Sequence, residues 1–178
     1  MLLALGEQPV STIPKALDQM YESHHSMVFR TAYRITGNAA DAEDVLQTVF
    51  LRLVRRDPAA ASGIDNPESY LRRSAVNAAL DVVRSRQASN TLEPEKMPAS
   101  ASCTELSELR DTLRRALGTL PPRTAEMFAL RFFEGHTNPE VAKLMGISQI
   151  VVAVTLHRAR KKLQQEITRQ ETGKGSTR

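Results

Sequence analysis

Three sets of side chains have the types and spacing to make specific contacts, and none is suited to bond-making. Asp41, Asp44, Gln47 and Leu51 recur at intervals of three and four, which on a helix gives an acidic stripe with an apolar end. Such a stripe suits a docking face, although an acidic first turn also serves simply to offset the helix dipole. Arg73, Asn77, Asp81 and Arg84 recur in the same way. Their groups can bond base edges and phosphates, so this stripe suits a nucleic-acid strand. It equally suits a solvent face tied by ion pairs between Asp81 and its Arg neighbours. The third set lies between Gln149 and Lys162. Gln149 and His157 can hydrogen-bond to base edges, and Ile150 and Val154 can touch thymine methyl groups. Arg158, Arg160, Lys161 and Lys162 suit phosphates, which position a protein without specifying sequence.

Enzyme chemistry has little to stand on. There is no phosphate-binding loop, no HExxH and no clustered set of metal ligands. His24 and His25 are adjacent and diverge on a helix, as do Glu43 and Asp44. His24 is expected to be a partly buried core residue. The single Cys103 excludes an intrachain disulfide and a multi-cysteine zinc site. No catalytic residue, metal site or cofactor is expected. The chain holds no apolar run of membrane-spanning length, and Glu7 interrupts the apolar start with no basic residue before it. Membrane insertion and a signal peptide are therefore not expected, and the cytoplasm is the default location. The net charge of +4 is carried at one end. Residues 1–87 balance, whereas 114–178 hold twelve basic against five acidic residues, which suits a polyanion such as DNA.

The elements that must carry these sets read as helices throughout. From Pro14, Leu17, Met20, Tyr21, His24, Met27, Val28, Ala32 and Ile35 share a face, and Gly37 ends the run. Asn38 caps a second helix to about Arg56, which buries Ala42, Val45, Leu46, Val49 and Leu53. Asp57–Pro58 stops it. Asn66 and Pro67 open a third, to about Arg86, that buries Leu71, Ala75, Ala78 and Val82. Gln87–Thr104 is aperiodic and polar with Pro94 and Pro98, so it reads as a flexible linker. Thr104 then caps a helix with the stripe Leu106, Leu109, Leu113, Leu117 and Leu120. Pro122–Glu134 forms an apolar core helix ended by Gly135. Thr137–Asn138–Pro139–Glu140 is a capping box. Ala142, Gly146 and Val152 have the offsets of a helix-turn-helix, whose second helix, capped by Ser148, runs to about Arg169. Residues 1–13 and 171–178 read as loose ends. The fold class is all-α: two small helical domains, 14–87 and 105–170, joined by a linker over 88–104.

The wording of these segments is more specific than their periodicity. DAEDVLQTVFLRL and NPESYLRRSAVNAALDVVRSR resemble region 2 of the sigma-70 family in its extracytoplasmic-function (ECF) branch. LGTLPPRTAEMFALRFFEG and LHRARKKL resemble the opening and the end of region 4. The resemblance implies a sigma factor and not an enzyme, with core RNA polymerase and promoter DNA as partners and an anti-sigma factor as a further one it allows. By that likeness Asp41, Asp44, Gln47 and Leu51 dock on the clamp helices of core polymerase. Arg73, Asn77, Asp81 and Arg84 face the −10 element, and the loop at about 63–69 helps hold an extruded base. Gln149, His157, Arg158, Arg160 and Lys161 face the −35 element, and the linker threads toward the active-site and RNA-exit channels.

Two positions depart from the family pattern. Tyr70 stands where Trp is usual, and can still pack or stack. Val151–Val152–Ala153–Val154–Thr155 replaces a run that commonly carries Lys and Arg, so −35 readout is expected to be weak, shape-dependent or A/T-leaning. Alternatively, Ile150, Val151 and Val154 pack on a protein such as an anti-sigma factor. A plain helix-turn-helix regulator and a sigma-like interaction protein with impaired −35 readout stay as alternative functions.

Overall fold

The computed structural model describes residues 15–55, 64–92 and 105–175, and the side chains of 17–55, 64–89 and 108–169. Among them are seven helices and no strand: α1 (Lys15–Thr36), α2 (Ala39–Val54), α3 (Pro67–Leu92), α4 (Glu105–Gly118), α5 (Pro122–Phe132), α6 (Asn138–Met145) and α7 (Gln149–Gly175). The all-α expectation holds. No single described helix is long and apolar enough to cross a membrane.

The local signals act where the residues place them. Gly37 takes φ +70°, a conformation that an L side chain resists, and stops α1. The Asn38 side chain accepts from the Asp41 amide at 3.2 Å and caps α2. Asn66 does the same for Ser69 at 2.9 Å and opens α3. Asp57–Pro58, Thr104 and Gly63, the first residue of the 63–69 loop, lie outside the described residues; the rest of that loop is described, and from Pro67 it already belongs to α3.

Helix α3 is the element both halves share, since it packs on α1 and α2 and also on α4 and α5. This double duty explains a difference from the sequence reading. One buried stripe was expected, of Leu71, Ala75, Ala78 and Val82; the first three are buried and Val82 is half-exposed. A second stripe, Val76, Ala79, Leu80 and Val83, is buried as well. Three alanines let neighbouring backbones approach. The helix also runs six residues past Arg86 to Leu92, so residues 88–92 are helical and not linker. No Gly or Pro interrupts the chain before Pro94, and the Gln87 side chain lies on Gly118, in the space a Cβ there would occupy.

The C-terminal half has its core in Ala116, Leu117, Leu120, Met127, Phe128, Leu130, Val141, Val152 and Leu156. Leu109, expected inside, is half-exposed, and the buried face of α4 is Thr112, Ala116 and Leu117, with Leu120 buried just beyond its end. Helix α5 is the apolar core helix foreseen, although Phe132 remains 37% exposed. Helix α7 continues beyond Arg169 to Gly175, into residues read as a loose end.

Candidate nucleic-acid interface

The acidic stripe survives with one substitution of members. Asp44 and Gln47 are exposed, and Leu51 is 50% exposed. Asp41 is not part of that face. Its side chain is only 12% exposed and accepts from Arg86 Nη2 of α3 at 2.7 Å. Burial raises the Asp41 pKa above its ordinary value; Arg86 opposes the rise and Asp44 adds to it. The sequence spacing could not separate Asp41 from its neighbours, because Arg86 approaches only once α3 has packed. Val54, 51% exposed, extends the stripe instead. It lies three residues after Leu51, a signal that was present in the sequence.

The strip on α3 is intact in direction but engaged. Arg73 donates from Nε to Glu126 at 2.8 Å and from Nη1 to the Leu144 carbonyl at 2.8 Å. Asn77 is half-buried beside it, in a cavity of about 350 Å³ lined by Ser69, Tyr70, Arg73, Ser74, Asn77 and Leu144. Asp81 and Arg84 form the expected ion pair at 3.3 Å, with Asp81 exposed. The C-terminal half therefore covers one end of this strip and leaves the other open.

Two carboxylates that sequence reasoning missed hold that cover in place. Glu134 has a side chain 0% exposed and accepts from Arg72 at 2.6 Å, Arg34 at 3.2 Å and Thr31 at 2.9 Å. Burial lowers the Arg72 pKa, but its bonds to Glu68 and Glu134 outweigh this and leave it raised. Glu126 sits inside the buried run Ala125–Leu130. A buried carboxylate demands a partner, and that demand was the available signal. A third contact comes from Arg114, which donates to the Ile35 carbonyl at 3.2 Å while its guanidinium lies over Gly37, where a Cβ would stand.

The helix-turn-helix forms as its residues predict. Thr137 and Glu140 make both bonds of the capping box, and the exposed Glu140 has its pKa lowered, first by the Thr137 amide. Gly146 adopts the left-handed conformation (φ 64°), and Ile147 donates back to the Ala142 carbonyl at 3.0 Å. The Ser148 hydroxyl accepts from the Val151 amide at 3.3 Å. Helices α6 and α7 meet at 108°, within the range of DNA-binding pairs. Val152, Leu156, Ala159 and Leu163 turn inward. Gln149, Ile150, Ala153, Val154, His157 and Arg158 turn out. Lys161 is exposed, whereas Arg160 lies over the Phe132 ring at 4.6 Å and Lys162 donates to the Thr119 carbonyl at 3.3 Å. Cation–π stacking and that bond turn two of the four expected phosphate-binding cations toward the rest of the half. Among the described residues no group of three His, Cys, Asp or Glu could hold a metal ion, and His24 is half-buried as expected.

Residues 20–89 match the model of sigma-70 region 2, and residues 110–163 match that of sigma-70 region 4. The chain is 31% identical over 154 residues to the ECF RNA polymerase sigma factor SigE of Mycolicibacterium smegmatis, covering 82% of this chain and 59% of that one. It thus spans about three-fifths of that relative's length. It is 30% identical over 153 residues to the ECF RNA polymerase sigma factor SigM of Mycobacterium tuberculosis, covering 83% of this chain and 75% of that one. In fold it is similar to the sigma factor RpoE of Bartonella quintana, solved in complex with the anti-sigma factor NepR, with a TM-score of 0.50 at 17% identity over 86% of this chain and 98% of that one. The two matched regions in this order, with relatives of that identity and coverage, establish that the chain belongs to the ECF branch of the sigma-70 family.

Proposed function

We propose that this chain binds core RNA polymerase and directs transcription initiation at promoters. The observation that carries this reading is the pairing of a fully formed helix-turn-helix with a helical half that presents an exposed stripe of Asp44, Gln47, Leu51 and Val54. An operator-binding regulator has no use for that stripe. Core polymerase docks there, through apolar contact at Leu51 and Val54 and charge at Asp44. Arg73, Asn77, Asp81 and Arg84 then meet the −10 element, and Gln149, His157, Arg158 and Lys161 meet the −35 element. The protein makes and breaks no covalent bond. Strand opening draws on the energy of binding bases that have left the stack.

Arg73 is committed to Glu126 and Leu144, so its own contact with the −10 element requires the two halves to part. Core polymerase favours the parted state by binding it better, which is a shift of population. An anti-sigma factor that bound the closed state would act in the opposite sense. The cytoplasm is the working compartment.

The test is binding of the full chain to core polymerase beside an Asp44→Arg variant. Tight binding that the variant weakens by roughly tenfold, the size of one reversed interface charge of ~1.4 kcal/mol, supports the reading. A symmetric dimer that binds DNA but not polymerase would replace it with the regulator reading.

A further inference from the structure

Helix α7 enters its exposed face with an unusual set of side chains. Between Ser148 and His157 it has no Lys, Arg or Asn. Ile150 is 75% exposed, Val151 48% and Val154 44%, which makes an aliphatic patch on the N-terminal part of the second helix of the pair. That is the part of a helix-turn-helix that enters the major groove. Contiguous exposed aliphatic surface marks a contact, and the surrounding charge says with what. Between Glu140 and Glu166 there is no Asp or Glu, and Lys143, Arg158 and Lys161 are exposed there. The patch is therefore set for a polyanion. On the edges of base pairs in the major groove, the one apolar group is the 5-methyl of thymine.

We propose that Ile150 and Val154 read thymine 5-methyl groups in the upstream promoter element, with Gln149 bonding an adenine edge beside them. This rests on the sigma-factor reading. Ile150 and Val154 are one turn apart, about 6 Å along the axis, against ~3.4 Å per base step, so the two methyls lie within about two base pairs. Gln can bond N6 and N7 of adenine in the same groove. Specificity then comes from A·T pairs, with cations on phosphates holding the register.

The experiment uses the full chain on core RNA polymerase with a randomised promoter library. Transcribed templates are sequenced, and the best one is rebuilt with deoxyuridine in place of each upstream thymine. That exchange removes the methyl and leaves every base-pairing group in place. The expected result is a loss of initiation of about fourfold per contacted methyl, the equivalent of ~0.8 kcal/mol for a buried methyl-sized group. The Ile150→Ala, Val154→Ala double variant should initiate equally from the thymine and deoxyuridine templates. Both side chains are exposed, so the variant keeps its fold, which an unchanged thermal midpoint would confirm. Equal initiation by the wild type from both templates overturns the proposal, as does an upstream element enriched in G·C pairs. A library that yields no transcripts at all overturns the sigma-factor reading, and methyl readout falls with it.

Discussion

The two surfaces proposed to meet DNA stand in opposite conditions. The α3 strip has the chemistry for reading bases but is partly covered, because Arg73 is bound by Glu126 and Leu144. The α7 face is open to solvent but lacks the usual hydrogen-bonding side chains. Availability and chemistry are thus separate properties of a surface, and they are set by different parts of the sequence. The strip is covered by carboxylates fifty residues and more away in the chain, whereas the α7 face is determined by its own residues.

That contrast can be broken from the strip's side. Replacing Glu134 with Arg puts a third positive charge against Arg34 and Arg72 in a site with no exposure for the Glu134 side chain. Breaking a buried pair costs ~3–5 kcal/mol; Arg34 is half-exposed and Arg72 keeps Glu68, so the low end is expected. The halves should separate, seen as a larger radius of gyration in small-angle scattering, and single-stranded −10 DNA should bind more tightly to the free protein. An unchanged radius would mean that Glu134 does not hold the cover. A smaller effect is expected from Gly37→Ala. It strains a left-handed residue by about 1–2 kcal/mol and pushes its Cβ into Arg114. A lower thermal midpoint together with a larger radius would place the contact at the junction, and a lower midpoint alone would confine the effect to the end of α1.

The buried Asp41 makes stability depend on pH. Its folded pKa lies above the ordinary value of 3.8. Its stability contribution is therefore fully present below pH 3.8 and is lost as pH rises through the raised value. Asp41→Asn, which cannot ionise, should gain on the wild type in urea titrations over that rise, and a constant difference across it would contradict the assignment. The exposed cap of α6 behaves in the opposite sense. Glu140 is lowered from 4.5, so its contribution is present above that value and disappears as pH falls below it. Glu140→Gln should differ from the wild type at pH 7 and converge with it in acid. Thr137→Ala should cost about 1 kcal/mol at pH 7, and less in acid because its hydroxyl also donates to the Glu140 carboxylate, without changing the distance between halves.

Most helix starts and stops were legible in the sequence because they depend on neighbours in the chain: Asn38, Asn66, Gly37, Thr137, Glu140 and Gly146 act within four residues. The polar stripes were legible as stripes for the same reason. What was not legible came from packing between distant elements. Asp41 left its stripe because Arg86 reached it from α3. Val83 replaced Val82 inside because α3 is buried on two sides. Arg160 turned onto Phe132 for the same kind of reason.

The most direct measurement is the distance between the halves with and without core polymerase. Spin labels at the exposed positions Arg30 and Gln164, in a chain whose single cysteine is replaced by Cys103→Ser, report it by pulsed electron–electron resonance. A single distance in the free protein and a longer one in the polymerase complex are expected, because Arg73 has to leave Glu126 and Leu144 to meet DNA as proposed. An unchanged distance in a complex that initiates transcription would contradict the claim that the C-terminal half covers a working surface.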